Sequence, residues 1–412
     1  MIDTLLKKRV NNPIRIGLLG CGFMGRSFIR QVWNTEGVRV VAVCNRSLSR
    51  AFDVCRKFHG EAGIGDIDSF SAIEVCVVTD DPMKVIHAKT VDVIVDVTGS
   101  LEYSARVIME AFKVGKPVLT MNAELQATVG CALSRHAEAA GVLFSDSDGD
   151  QPGVEMGLLR YVKHLGLEPV VVGNMKGFMN VHAVRADIEK WVGMNEPSKV
   201  VAFTDGTKLA LEQALVANAT GAAIHKRGMI GIQGNGVHIN DVYGQFPLDK
   251  VGLISDYVIN CDKPYGVFCV AKHKEKVHET FIKELEYLHC GKGPYYCFHA
   301  PNHLCSFDII GSIVRMVALG DEVIRPLKTP KAGVLTVAKR DLAVGTVLDG
   351  IGGELCYGLC DNFDALKTEN LIPIGLTEGC VLKRAVKRDR ELTFDDVELP
   401  EGRVIDKLWK EQ

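Results

Sequence analysis

The chain predicts an α/β protein: a doubly wound parallel sheet first, then an α+β domain, then a small β-rich domain. Three observations carry this reading. An apolar run near the start breaks into a glycine-rich turn and passes into a helical pattern. Strand-like runs then alternate with helical segments, as parallel sheets require. The texture changes twice more, at an acidic turn-rich stretch near residue 149 and at a run of short strands and turns from residue 333. The 412 residues exceed what one hydrophobic core holds, so the expected division is 1–148, 149–325 and 333–412.

Residues 14–19 read as a buried strand, and Gly20-Cys21-Gly22-Phe23-Met24-Gly25 as the turn into a helix bearing Phe28, Ile29, Val32 and Trp33. This is the strand-turn-helix setting of a dinucleotide fingerprint, so the first sheet is expected to be of the Rossmann type. Gly20 permits the tight turn, Gly22 lets the backbone approach a pyrophosphate, and Gly25 allows close helix-strand packing. The diphosphate would rest on free N–H groups at the helix N-terminus, where Phe23 and Met24 stand. The second strand, residues 38–43, runs into Cys44-Asn45-Arg46-Ser47 without the acid that binds a ribose 2′-hydroxyl. Asn45 and Ser47 can donate hydrogen bonds, and Arg46, with Arg50, can face a 2′-phosphate. NADP, used as NADPH, is therefore the expected cofactor; the competing reading has Arg46 merely beginning a solvated helix.

The alternation continues through a helix over 47–59 and strands over 72–78 and 91–97, the last ending in Thr98-Gly99-Ser100. A helix over 102–114, a strand ending at Asn122, a helix over 127–140 and a strand over 142–145 follow. Ligands of such sheets lie beyond the carboxyl ends of the strands, which places Thr98, Gly99, Asn122 and Glu124 at the cofactor cleft unless they serve loop geometry alone.

Composition narrows the partners. Hydrophobic residues make up 47%, charged residues 24%, and the net charge is −3, with no basic block to suggest nucleic acid. No apolar run of membrane-spanning length and no apolar leader occur, so a cytoplasmic protein is expected. The 13 cysteines are an odd count scattered along the chain, as for reduced thiols. Cys290, Cys297, His299, His303 and Cys305 lie close together but lack any C-x-x-C pair, which argues against a structural zinc site.

Beyond Ser145-Asp146-Ser147-Asp148-Gly149-Asp150-Gln151-Pro152, an amphipathic helix over 153–165 leads to a strand-like run over 169–177 that includes Lys176. Thr204-Asp205-Gly206-Thr207-Lys208 then heads a helical run to Asn218-Ala219-Thr220-Gly221. Asp205, Lys208 and Glu212 are spaced to share one helical face. They could hold a polar substrate and move a proton, or form an N-cap and a surface ion pair. Residues 228–244 read as a loop or hairpin, 266–271 as a strand, 274–287 as a charged helix, and 302–319 as a long helix. That last helix begins with His303, a residue suited either to structure or to acid-base work.

These stretches resemble a known group. The first domain resembles the NAD(P)-binding domain of homoserine dehydrogenases. The whole chain is similar to the 1-deoxy-D-xylulose 5-phosphate reductoisomerase-like oxidoreductases, in which a catalytic α+β domain and a C-terminal SAF module follow. The resemblance rests on Gly149-Asp150-Gln151-Pro152, on Asp205-Gly206-Thr207-Lys208 with Val216 to Gly221, and on Asn302-His303-Leu304. It continues in Ala338-Lys339-Arg340-Asp341-Leu342 with Leu348-Asp349-Gly350 and Gly353. A homoserine dehydrogenase would carry a lysine directly after the asparagine that ends its strand; here the run is Asn122-Ala123-Glu124.

The resemblance implies NADPH-linked oxidoreduction of a carbonyl or hydroxyl on a small polyol or phosphosugar. In the reductoisomerase form, Mg²⁺ or Mn²⁺ would bridge substrate oxygens on ligands the sequence does not identify. Lys176 and Lys208 would act on those oxygens, Asp205, Glu212 and Glu124 would bind hydroxyls or orient the lysines, and Asp150, Gln151, Asn218 and His303 would complete the site. A homo-oligomer is expected by the same analogy. A sugar or nucleotide-sugar dehydrogenase and a non-catalytic NADP-binding sensor remain open alternatives.

Overall fold

A computed structural model describes residues 2–59, 61–69, 75–188, 197–249, 252–274, 290–291 and 293–412. After a short helix α1 (Ile2–Lys7), the strands β1 (Ile14–Leu19), β2 (Val38–Cys44), β3 (Ala62–Gly63), β4 (Cys76–Thr79), β5 (Val93–Asp96), β6 (Val118–Thr120) and β7 (Phe144–Asp146) form one sheet. Its order is β3-β4-β2-β1-β5-β6-β7 and every pairing is parallel. The crossovers are α2 (Phe23–Trp33), α3 (Leu48–His59), α4 (Pro82–His87), α5 (Leu101–Lys113) and α6 (Ala123–Ala140). Such strands are covered on both faces, which is why their sequences are continuous apolar runs rather than alternating ones. Helices α4, α5 and α6 start on Asp81, Ser100 and Asn122, whose side chains accept from first-turn N–H groups. Residues 72–74 of the strand expected over 72–78 lie outside the described residues.

Helix α6 is broken at Val129, whose φ of −136° is not helical. The amide of Gln412 fills the gap, accepting from the Ala132 N–H and donating to the Thr128 carbonyl, so the freed backbone groups stay paired.

The chain then forms α7 (Gln151–His164), β8 (Leu167–Lys176), α8 (Arg185–Ile188), α9 (Pro197–Thr204), α10 (Thr207–Thr220), β9 (Ile232–Gln233), α11 (Ile239–Val242), β10 (Ile254–Ile259), β11 (Val267–His273), β12 (Tyr295–Ala300) and α12 (Cys305–Val314). The second sheet is mixed, in order β12-β11-β8-β10-β9. The segment expected as a loop or hairpin over 228–244 holds the two-residue β9, which pairs with β10, and the short α11 between stretches of loop. Most of the helix expected over 274–287 lies outside the described residues. Helix α12 begins two residues after His303 and returns to the first sheet, where Ile309, Ile310 and Ile313 share a core with Phe28 and Ile29.

At the centre lies α10, buried on all sides from Thr207 to Asn218. Its Leu, Ala and Val residues are spread round the helix, and its Lys208, Glu212, Gln213 and Asn218 are enclosed with polar partners from other elements, so no face is left to solvent. It packs against α6, α7 and β10, and against the C-terminal strands β13 (Ala332–Ala338) and β14 (Cys356–Asn362). A helix α13 (Phe363–Thr368), strands β15 (Val381–Leu382) and β16 (Val397–Glu398) and a helix α14 (Val404–Lys410) complete the chain. The two C-terminal sheets are antiparallel pairs, β13-β14 and β15-β16. In the stretch before them, Ile324 bridges to Asp146 at the edge of the first sheet, and Arg160 donates to the Glu322 and Val323 carbonyls. Among the described residues no helix is long and apolar enough to cross a membrane.

Candidate active site

The fingerprint turn has the geometry its glycines predict. Gly20 has a φ of +101°, and a Cβ on Gly25 would fall 2.2 Å from the Gly20 carbonyl oxygen, so neither position accepts a side chain without strain. Gly22 stands at the N-cap of α2 and provides no side-chain cap, so first-turn N–H groups, with Phe23 and Met24 beside them, face outward for an anion. This cradle fits a dinucleotide diphosphate. Asn45 does something other than expected: its Oδ1 accepts from the Cys21 N–H at 3.1 Å and its Nδ2 donates to the Ser47 carbonyl at 2.9 Å. It braces the turn against the next loop instead of presenting a donor to the cofactor. Arg46 and Ser47 are exposed beside it, and among the described residues Arg46 has no carboxylate partner.

Thr98 donates from Oγ1 to Asp96 at 2.7 Å, and Gly99 lines the opening of the cleft. Asn122 is buried, spends its carbonyl oxygen on the Leu125 N–H and turns its amide to the Thr98 carbonyl. It shapes the loop that the cofactor would meet.

A cleft of about 200 Å³ opens from this edge, lined by Met24, Thr98 and Gly99 together with Glu124, Asp150, Lys208 and Cys305. Lys208, from the first turn of α10, puts Nζ 3.1 Å from Glu124 Oε1, 3.7 Å from Asp150 Oδ2 and 3.8 Å from Glu212 Oε1. Burial draws its pKa down, but the attraction of these three carboxylates outweighs burial and holds the ammonium well above its ordinary range. Glu212 is fully buried; its Oε2 accepts from Asn174 Nδ2 at 2.8 Å, and Asn174 Oδ1 accepts from Gln151 Nε2 at 2.6 Å. Among the described residues its Oε1 has no hydrogen-bond partner, and it lies 3.8 Å from Lys208 Nζ. Burial raises Glu212 to about 7, against the pull of Lys176 and Lys208. Lys176, at the end of β8, lies over the Phe203 ring at 5.0 Å and is lowered by burial, with Glu212 opposing. His303 is lowered by burial too and feels the charges of Asp150 and Lys176.

Of the residues expected in the site, the structure thus brings together Lys176, Lys208, Glu212, Glu124, Asp150, Gln151 and His303. Two are corrected. Asp205 lies outside the helix, before Gly206, and its carboxylate pairs with Lys339 at 2.8 Å, so it does not share a face with Lys208. Asn218 sits at the far end of α10, where it holds the Lys331 and Ala332 N–H groups and the Ala332 carbonyl.

Sequence reasoning missed Asn174, Asp146, Cys305 and Lys199. A polar residue inside the apolar run of β8 was a signal for Asn174. Asp146 is fully buried, its Oδ2 has no hydrogen-bond partner among the described residues, and burial and Asp150 raise its pKa well above normal. Cys305 Sγ stands 3.8 Å from Asp150 Oδ1, away from Cys297, whose side chain is buried in β12; His299 meets the Tyr265 carbonyl. Nothing local in the sequence marked Lys199, which lines the cleft from α9.

The site does not fit a bridging Mg²⁺ or Mn²⁺. Glu124, Asp150 and Glu212 are the oxygen donors a hard cation would use, and the Lys208 ammonium already occupies the space between them.

Two family models match. Residues 20–145 match the homoserine dehydrogenase NAD-binding domain, and residues 149–309 match the catalytic domain of oxidoreductase DRL. The chain is built of NAD(P)-dependent oxidoreductase domains. A homoserine dehydrogenase of Corynebacterium glutamicum is 30% identical over 136 residues, which cover 33% of this chain and 28% of that protein. The chain therefore spans well under two thirds of that relative. Among solved structures, a homoserine dehydrogenase from Thiobacillus denitrificans aligns over 92% of this chain and 98% of its own, at 13% identity and a TM-score of 0.43. A myo-inositol dehydrogenase from Corynebacterium glutamicum aligns over 75% and 88%, at 11% identity and a TM-score of 0.44.

Proposed function

We propose that the protein is an NADPH-linked oxidoreductase acting on a carbonyl or hydroxyl of a small polyol or phosphosugar. One observation carries the reading: an ammonium held by three carboxylates lines the same cleft as Met24 of the dinucleotide fingerprint and Thr98 and Gly99 at the strand end beside it. The nicotinamide, when bound, supplies or accepts the hydride. Lys208, still charged at neutral pH, hydrogen-bonds the reacting oxygen and steadies negative charge developing on it. Glu212, poised at about 7, gives or takes the proton on the far side of that ammonium, with Lys176 as the neighbouring carrier. Glu124 and Asp150 accept hydrogen bonds from substrate hydroxyls, and His303 closes the side near Asp150. Lys208 also answers the absence of a lysine after Asn122, since it brings a cation to Glu124 from another helix.

Three carboxylates around one ammonium suit neutral hydroxyls, so a phosphate on the substrate belongs toward Lys199 of the same cleft. Exposed Arg46 supports the choice of NADPH, and the C-terminal strands are read as an SAF-like module. The reading is tested by following oxidation of NADPH with purified protein against 1-deoxy-D-xylulose 5-phosphate, aspartate semialdehyde and a set of keto-sugar acids and phosphates, with EDTA and with Mg²⁺. EDTA-insensitive turnover on a keto-sugar is the expected result. Turnover on 1-deoxy-D-xylulose 5-phosphate that EDTA abolishes would replace it with a reductoisomerase, and silence with NADPH bound would favour a sensor.

A further inference from the structure

The lysine at the centre of the cleft starts α10 immediately after a sharp corner, Asp205-Gly206-Thr207, that joins it to α9. Both sides of the corner matter: α9 contributes Ser198, Lys199, Ala202 and Phe203 to the cleft, and α10 contributes Lys208. The corner is tight. Gly206 has a φ of +84°, and a Cβ there would lie 2.4 Å from Met179 Sδ.

What holds it comes from more than 130 residues further along the chain. Lys339, just past β13, is almost completely enclosed, and its Nζ lies 2.8 Å from each of three oxygens: Asp205 Oδ2 and the carbonyls of Ala183 and Gly353. The two carbonyls accept hydrogen bonds from the ammonium, and Asp205 Oδ2 faces it as an ion pair. Asp205 in turn accepts the Thr207 N–H on Oδ1 at 2.8 Å, and Thr207 Oγ1 accepts the Gly358 N–H of β14 at 2.8 Å. On the α9 side, a Cβ on Gly352 would fall 2.0 Å from the Ser198 carbonyl oxygen, and the adjacent Ile351 lines the cleft itself. A buried ion pair is a costly way to gain stability compared with packed apolar side chains; its strength is to fix a geometry.

We infer that Lys339 is a positioning residue for Lys208, acting through Asp205, and that the C-terminal segment is a working part of the active site. The inference rests on the oxidoreductase reading above for its kinetic consequence and on geometry alone for the strut.

The test uses the full chain with Lys339→Met and the double variant Asp205→Asn/Lys339→Met. The single change leaves a carboxylate buried without its cation and lowers stability; the double change removes that lone charge but restores no strut. Three readouts are taken: melting temperature, kcat and KM for substrate and NADPH separately, and hydrogen exchange of the segment 197–212. The double variant is expected to recover melting temperature while kcat stays down ~10-fold or more, as for a misplaced group. KM for NADPH should be unchanged, because the fingerprint lies in the first sheet, and exchange in 197–212 should be faster. Wild-type kcat together with wild-type exchange in the double variant overturns the inference. A wild-type protein silent on every substrate overturns the oxidoreductase reading alone. Exchange then decides for the strut: acceleration over 197–212 upholds it and no change overturns it.

Discussion

Glu212→Gln replaces an acid that titrates near neutrality with an isosteric amide that does not titrate. In the folded protein burial raises Glu212 from 4.5 to about 7. Because the folded pKa is the higher one, the folded state holds a proton that the unfolded state has released anywhere between these values. The contribution to stability is therefore fully present below pH 4.5 and lost as pH rises through about 7. A difference of roughly 2.5 units corresponds to about 3 kcal/mol at 1.36 kcal/mol per unit. The assay is urea unfolding of both proteins at roughly pH 4 and pH 8, bracketing the two pKa values. Groups other than Glu212 titrate in both proteins, so the difference between their pH dependences isolates this carboxyl. The wild type should lose about 3 kcal/mol more than Glu212→Gln across that interval. The limb of the kcat profile near neutrality should vanish in the variant, with kcat lower by ~10². Parallel stability curves and a retained limb would refute both the burial argument and the assignment of Glu212 as proton carrier.

Two further changes probe the rest of the cleft. Lys208→Met should lower kcat/KM by ~10² or more while NADPH still binds, and should cost about 3–5 kcal/mol of stability because Glu124, Asp150 and Glu212 lose their shared cation. A variant of near wild-type activity would remove Lys208 from the mechanism. Arg46→Ala should raise KM for NADPH about tenfold, the scale of one charge-assisted hydrogen bond, and leave KM for NADH unchanged. Equal effects on both cofactors would support the alternative, that Arg46 only precedes α3.

How much of the site was legible depended on how local each cue is. Gly20, Gly22 and Gly25 were legible because a turn's backbone demands are met by adjacent residues, and the fingerprint folds as its spacing requires. The grouping of Lys208 with Glu212 was legible from helical spacing. Asp205 misled for a related reason: helical spacing was extended one corner too far, across the glycine at which the helix begins. Asn45 and Asn122 sit where cofactor contacts are expected, yet both spend their amides on backbone groups, a choice made by neighbouring loops rather than by the residue type.

By itself the sequence determined the alternation of strands and helices, the fingerprint turn and the change to short strands and turns, since periodicity and turn chemistry act between residues close in the chain. The tertiary structure decided that α10 is a central helix and not a surface one, and so that Lys208 is a buried ammonium instead of a solvated ion pair. It alone brought Glu124, Asp150 and the Lys339 strut to that lysine, because they belong to three segments far from α10 in sequence. Burial, which sets the charge state of each, exists only once those elements have packed together.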